Sequence, residues 1–154
     1  MSASNQFAVS LSNKSVWIFD TIGNNITTLE TDKEARCLTF NQNSNLLAGF
    51  TPNNIFVWNN SGNHGYSWLK TIWTTQSNGV STCVFSGESE ENLVAGSCDN
   101  HLYVYNIKKE KAILNKYCVS EFTVLEPSGS GFIASGHMNG SIRTWDLKDK
   151  SKKP

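Results

Sequence analysis

The most constraining feature of this sequence is a repeat. Four segments each run from small and apolar residues, through a polar turn, to an aromatic residue followed by Asp or Asn. They occupy residues 7–20, 46–59, 93–106 and 132–146, and they end in the pairs Phe19-Asp20, Trp58-Asn59, Tyr105-Asn106 and Trp145-Asp146. The aromatic residues lie 39, 47 and 40 positions apart. A period of about 40 residues predicts an array of structural repeats, each of which buries its apolar face against a neighbour.

Each segment has the pattern of a β-hairpin. A short strand of small and apolar residues leads into a polar turn, and the second strand alternates between inward and outward residues. The turns are predicted at residues 12–14, 52–54, 98–100 and 138–140. Asn, Asp and Gly accept the positive φ that tight hairpins need, whereas Lys14 and Pro52 fit a turn poorly.

Two further strand patterns accompany each hairpin. One precedes it, at residues 35–40, 80–85 and 122–125, and the other follows it, at 26–29, 68–73 and 112–117. Few stretches keep a helical apolar stripe over ten residues. The sequence therefore predicts an all-β chain built from four-strand units.

This pattern resembles the WD40-repeat family of β-propellers over about residues 6–147. The signature is best preserved in Ile133-Ala134-Ser135-Gly136 and in Trp145-Asp146. Only one segment keeps a Trp-Asp pair, and the family's Gly-His dipeptide ahead of the innermost strand is absent. The Asp-His-Ser-Trp hydrogen-bond network of many members is therefore not expected, and the repeats are divergent.

The resemblance implies a partial WD40-type propeller with about 14 antiparallel strands in four blades, whose strands we label a to d outward from the axis. Residues 6–30 supply strands b to d, 35–73 and 80–117 supply two full blades, and 121–147 supply a to c. The end blades are thus incomplete. We expect a propeller domain over 1–147 and a flexible Lys-rich tail over 148–154.

An incomplete ring has three interpretations: a piece of a longer protein, one part of a ring made from several chains, or an unusual four-bladed ring. End blades without neighbours expose apolar faces and strand edges. The residues expected there include Val9, Val16, Ile133 and Ile142. We therefore expect the chain to pair with itself, with the remainder of its propeller, or with a second chain that completes the ring. Trp58 and Trp145 are predicted to be buried between blades, over Ala48 and Ala134.

The composition argues against several other functions. The net charge is zero, and the basic residues include only two arginines, Arg36 and Arg143, so nucleic-acid binding has little support. Neither a transmembrane stretch nor a signal peptide is expected, which favours an intracellular chain, cytoplasmic or nuclear. The cysteines are spaced 46, 15 and 20 residues apart and are predicted to be free thiols, with a disulfide as the less favoured alternative.

Motifs for catalysis are missing. We find no phosphate-binding loop, no H-E-x-x-H pair and no G-x-S-x-G elbow. The three histidines occupy non-equivalent positions of the repeat. No enzyme activity, cofactor or metal is therefore expected, and an enzyme on a divergent propeller is the weaker alternative because the inner strands supply only Arg36 as a charged residue.

The resemblance implies a non-enzymatic scaffold that binds other proteins within a multiprotein complex. Its expected contact face carries the d–a and b–c connections. The partner-binding residues predicted there are Glu34, Arg36, Thr51, Asn78, Cys98, Glu121 and Met138. Two alternatives remain: a contact loop at 59–67 on the opposite face, carrying His64, Tyr66 and Trp68, and RNA or ribonucleoprotein contact through the Lys-rich tail.

Overall fold

Fourteen β-strands form four antiparallel sheets in the residues that the structure describes, with no helix among them. The structure is a computed structural model. It describes residues 6–148 except 53, 63–64, 74–78, 87–90 and 129–130. The prediction of an all-β chain is confirmed.

The sheets follow one another along the chain, and we call them blades 1 to 4. Blade 1 contains β1 (Gln6–Leu11), β2 (Ser15–Asp20) and β3 (Asn25–Glu30). Blade 2 contains β4 (Cys37–Phe40), β5 (Leu46–Phe50), β6 (Asn54–Asn60) and β7 (Tyr66–Trp73). Blade 3 contains β8 (Val80–Ser86), β9 (Asn92–Ser97), β10 (His101–Asn106) and β11 (Lys111–Tyr117). Blade 4 contains β12 (Phe122–Ser128), β13 (Phe132–His137) and β14 (Ile142–Asp146).

Each blade is a meander in which consecutive strands pair. The hairpin turns between strands b and c of blades 1, 3 and 4 use left-handed backbone, with φ of 67° at Lys14, 65° at Asn100 and 78° at Gly140. Asn and Gly adopt this conformation readily, but a lysine does so at a cost. Lys14 therefore occupies a position for which its side chain offers no advantage.

Three apolar cores join neighbouring blades. Val16 and Ile18 of blade 1 pack with Trp58 of blade 2. The other face of blade 2 packs on blade 3, and the far face of blade 3 packs on blade 4. Successive residues of a strand point to opposite faces, so each full blade buries both of its faces. The four sheets do not close into a ring.

In blades 2, 3 and 4 the aromatic residue at the end of strand c faces the preceding blade. Trp58 is fully buried and lies over Gly49, where a Cβ atom would come within 3.0 Å of the indole. The prediction that Trp58 covers Ala48 is wrong, because Ala48 lies on the opposite face and packs toward blade 3.

Trp145 departs from the prediction in two ways. Its side chain is only half-buried, since no described strand lies beyond β14 to cover it. Its partner is Ser135 and not Ala134: the indole Nε1 donates a hydrogen bond of 2.7 Å to Ser135 Oγ. As with Trp58, the small residue beneath the ring is one position later than predicted.

Of the four residues predicted to be exposed on the end blades, two are exposed and two are buried. Val9 and Ile142 are 40% and 81% exposed, as expected for faces without neighbours. Val16 and Ile133 are fully buried, because they lie on the inner faces of blades 1 and 4. A shift of one residue moves a side chain to the other face of a sheet, and the sequence pattern did not resolve that shift.

A disulfide joins two inner strands, contrary to the prediction of free thiols. Cys37 on β4 is bonded to Cys83 on β8, with their Cα atoms 6.3 Å apart. Cys98 and Cys118 are free. The disulfide links blade 2 to blade 3 close to the axis of the molecule.

Among the described residues there is no helix with the length and apolarity that a membrane crossing requires.

Candidate functional site

The b–c turns and the d–a connections meet on one face of the molecule, which we call the connection face. Backbone hydrogen bonds tie these segments together. Thr31 N donates to Lys14 O in blade 1, and Cys118 N donates to Asn100 O in blade 3. The d–a connections that leave blades 1 and 3 are thus anchored on the b–c turns of those blades.

Three of the predicted contact residues come together at the centre of this face. The Cys98 thiol lies within electrostatic range of both the Glu121 carboxylate and the Arg36 guanidinium. Gly79 lies between them: its carbonyl accepts a bond of 3.2 Å from Cys98 N, and a Cβ atom on it would lie 3.4 Å from the Arg36 guanidinium. We call Arg36, Cys98 and Glu121 the axial cluster. Its members belong to the connection into β4 in blade 2, the β9–β10 turn in blade 3, and the connection into β12 in blade 4.

The charges of the axial cluster act on its thiol. Partial burial raises the pKa of Cys98, and the nearby Glu121 carboxylate raises that pKa further. The positive charge of Arg36 opposes this increase. The thiol therefore stays protonated near neutral pH. Because the thiolate is the nucleophile in cysteine chemistry, this environment does not activate Cys98.

Apolar residues lie beside the axial cluster. Met138 is 70% exposed, and its backbone N donates a bond of 3.0 Å to Glu121 O. Val119 is 64% exposed on the neighbouring d–a connection, which is joined to the Met138 turn by a bond from Asn139 N to Ser120 Oγ. The sequence analysis did not predict Val119 as a contact residue. The pattern that could have indicated it is weak: one apolar residue in a predicted connection, between Cys118 and Ser120.

The remaining predicted contact residues are more scattered. Glu34 is exposed on the connection between β3 and β4. Thr51 is only 3% exposed, and its hydroxyl accepts a bond of 3.2 Å from Asn54 N, so it holds the β5–β6 turn and is not available to a partner. The prediction of Thr51 as a contact residue is therefore wrong. Asn78 lies outside the described residues.

The three residues that the sequence analysis assigned to the contact loop at 59–67 lie in different environments. Tyr66 is buried, and its hydroxyl is hydrogen-bonded to Gln6 Oε1 in blade 1 and to Ser44 O in blade 2. It anchors two blades, which contradicts its assignment as a contact residue. Trp68 is 65% exposed at the outer rim, and His64 lies outside the described residues.

No group of three His, Cys, Asp or Glu side chains suited to a metal ion occurs within the part of the chain that the structure describes.

Four consecutive antiparallel sheets that pack face to face define a class of fold: the chain has the fold of a WD40-type β-propeller whose described sheets do not close. A chain in the solved structure "Crystal Structure of Mitotic Checkpoint Complex" superposes on it with a TM-score of 0.73 and 17% sequence identity, covering 91% of this chain and 45% of that chain. The spindle assembly checkpoint protein bub3 of Schizosaccharomyces pombe is 29% identical over 83 residues, which is 53% of this chain and 26% of the relative. The chain thus spans less than half the length of either protein. No family model matches it.

Proposed function

We propose that this chain is part of a non-enzymatic WD40-type scaffold that binds a protein partner through its connection face. The axial cluster would supply the polar contacts, and Met138 and Val119 would supply apolar area beside it. Arg and Met are both enriched at protein interfaces. A face held by backbone hydrogen bonds loses little conformational entropy on binding.

One observation carries this proposal. Arg36, Cys98 and Glu121 come from three different blades and are far apart in sequence, yet their side chains interact at one point. Such convergence supports a role for this point beyond the stability of any single blade. The absence of a strong nucleophile supports binding as that role.

We further propose that the partner belongs to a multiprotein complex of the mitotic checkpoint type and that the chain acts inside the cell. Two similarities support this: one to a checkpoint protein and one to a chain of a checkpoint complex. Since both are partial, the complex itself has to be identified by experiment.

The proposal is tested by comparing the proteins that co-purify with tagged variants from cells arrested in mitosis. The Arg36→Glu, Met138→Asp double variant alters the connection face and leaves the blade cores intact. Lys116→Glu on the outer strand β11 is the control, because it also reverses one charge, at a partly exposed position outside the axial cluster. We expect checkpoint proteins to co-purify with the wild-type chain and the control and to be lost from the double variant.

A partner so identified would then be purified and its affinity measured directly. A decrease of about tenfold or more for the double variant, with Lys116→Glu unchanged, supports the proposal. Equal affinity for all three proteins would move the binding site away from the connection face.

A further inference from the structure

The disulfide between Cys37 and Cys83 joins the inner strands of two different blades. Cys37 lies on β4 of blade 2 and Cys83 on β8 of blade 3, and these strands belong to separate sheets. Each of these two blades packs on a described neighbour on both of its faces. The covalent link therefore lies inside the array of blades, away from the first and the last blade.

Side-chain packing holds blades 2 and 3 together independently of this bond. Ile55, Val57 and Leu93 are fully buried in the core between the two blades. Cys83 is 6% exposed in the same core, whereas Cys37 is only partly buried at its edge. The blades should therefore stay packed when the disulfide is broken, and the loss of the bond should loosen mainly the inner strands.

On the blade 2 side, the disulfide is next in sequence to a member of the axial cluster. Arg36 directly precedes Cys37, and its backbone N donates a bond of 2.8 Å to Phe50 O. Phe50 is also the cross-strand partner of Cys37. The position of the Arg36 backbone is thus fixed by the same end of β4 that the disulfide holds.

On the blade 3 side, the disulfide is connected to the axial cluster through Gly79, which directly precedes the strand that carries Cys83. The Gly79 carbonyl accepts bonds from Cys98 N at 3.2 Å and from Ser97 Oγ at 2.8 Å. A Cβ atom on Gly79 would lie 3.4 Å from the Arg36 guanidinium. The disulfide therefore joins the strand that follows Arg36 to the strand that follows its neighbour Gly79.

The oxidation states of the cysteines differ within this one chain. Cys98 and Cys118 are free, and Cys98 is exposed. We have proposed that the chain acts inside the cell, where low-molecular-weight thiols keep most cysteines reduced and a disulfide is usually transient or redox-sensing. Disulfides that a small thiol can reach are also the ones that are reduced readily, and Cys37 is partly exposed.

We propose that the Cys37–Cys83 disulfide is a redox switch that controls partner binding at the connection face. This inference rests on the proposed function and adds the regulation of the same site. With the bond formed, Arg36 is held beside Gly79 and Cys98. With the bond broken, β4 is free to move relative to β8, and a partner has to order Arg36 when it binds, which lowers its affinity.

The chemistry of the switch is thiol–disulfide exchange with a low-molecular-weight thiol such as glutathione. Its thiolate attacks the sulfur of Cys37, forms a mixed disulfide there and releases Cys83 as a thiolate, which takes up a proton. A second thiolate attacks the external sulfur of the mixed disulfide and releases Cys37, which is protonated in turn. Two external thiols are oxidised to one disulfide, and the chain gains two electrons and two protons. Oxidation by the external disulfide reverses these steps.

The first test needs no partner. The chain is equilibrated in a series of glutathione buffers from fully reduced to fully oxidised, and the thiols of Cys37 and Cys83 are counted by mass spectrometry after alkylation. We expect both thiols to appear together within the series. Amide hydrogen exchange at residues 36–40 and 79–83 should then be at least about fivefold faster in the reduced chain, and exchange in β2 should be unchanged.

Two variants control this measurement. The Cys37→Ser, Cys83→Ser double variant should exchange like the reduced chain in every buffer, and Cys98→Ser should respond to the buffers like wild type. Should the double variant fail to fold by circular dichroism, the reduced wild-type chain provides the same comparison. A disulfide that persists in reduced glutathione alone, equal exchange in both forms, or faster exchange throughout all four blades would each overturn the switch.

The second test measures the affinity of the oxidised and reduced chains for the partner found by co-purification. We expect the oxidised chain to bind at least about fivefold more tightly. Equal affinities, together with weaker binding of the Arg36→Glu, Met138→Asp variant, would refute the switch and leave the proposed function in place. Unchanged binding by that variant would refute the proposed function, and the switch at this face would fail with it.

Discussion

Trp145 and Ser135 form the hydrogen bond that begins a polar chain through blade 4. The indole Nε1 of Trp145 donates to Ser135 Oγ at 2.7 Å, and Ser135 Oγ lies 2.8 Å from His137 Nε2. His137 Nδ1 lies 3.1 Å from Ser120 O, which can only accept, so Nδ1 carries the proton and Nε2 accepts from the serine. Three members of the Asp-His-Ser-Trp network that the sequence analysis did not expect, His, Ser and Trp, therefore occur in this blade, and the Ser120 carbonyl takes the place of the Asp. The histidine comes from the end of β13 and not from the segment ahead of the innermost strand.

Removal of the serine hydroxyl should destabilise blade 4. Ser135→Ala leaves the buried His137 Nε2 without its donor and the indole without its acceptor. We expect a loss of about 1–3 kcal/mol in the free energy of unfolding, measured by urea denaturation. Thr144→Ala, at an exposed position of β14, should change it by less than about 0.5 kcal/mol. Equal effects of the two substitutions would show that the network contributes nothing.

Trp58 and Trp145, at equivalent positions of their blades, should contribute unequally to the free energy of unfolding. Trp58 is 1% exposed and fills the core between blades 1 and 2, so Trp58→Ala should cost about 3–5 kcal/mol. Trp145 is half-buried, and Trp145→Ala should cost about half as much. The midpoints of urea unfolding for the two variants provide the measurement. A larger loss for Trp145→Ala would contradict the burial described here.

The disulfide between Cys37 and Cys83 should stabilise the chain. It closes a loop with a sequence separation of 46 residues, and loss of such a link typically costs about 2–4 kcal/mol. Guanidinium denaturation with and without a reducing agent should show this difference. The Cys37→Ser, Cys83→Ser double variant should be insensitive to reductant, and Cys98→Ser should behave as wild type. Equal stability of the oxidised and reduced chains would contradict the prediction.

The axial cluster should leave a signature in the alkylation of Cys98. Because the pKa of this exposed thiol is raised, its rate of reaction with iodoacetamide should increase only at a higher pH than for an ordinary cysteine. Glu121→Gln removes the negative charge, lowers the thiol pKa and should accelerate alkylation at a fixed pH near 8. Glu126→Gln, on the exposed end of β12, is the control and should leave the rate unchanged. The pH profile is measured by mass spectrometry of the Cys98 peptide.

Strand number and order could be predicted from the sequence because the aromatic positions repeat at a nearly constant period. That period placed all four blades within a few residues of their observed bounds. The face of each strand was harder to predict, as Val16 and Ile133 show, because turns of different length shift the register by one residue. Thr51 was misplaced for a related reason: its hydroxyl bonds within the turn, and the sequence does not reveal that geometry.

The disulfide and the axial cluster could not be predicted from the sequence, because both are formed by residues of different blades. Cys37 and Cys83 carry no local spacing signal, and their contact exists only because two inner strands lie side by side. The same is true of Cys98 and Glu121. The repeat correctly placed Arg36, Cys98 and Glu121 on connections of one face, but it could not show that these three side chains meet.

The central claim is that a protein partner contacts the connection face at the axial cluster. Its most direct test is a photo-activated cross-linker attached to Cys98, which is exposed and free. A Cys98→Ser chain with Lys116→Cys carries the same cross-linker on the outer rim. Irradiation with the partner present should produce a cross-linked product from Cys98 and none from position 116. A product from position 116 alone would contradict the account and place the partner on the outer strands.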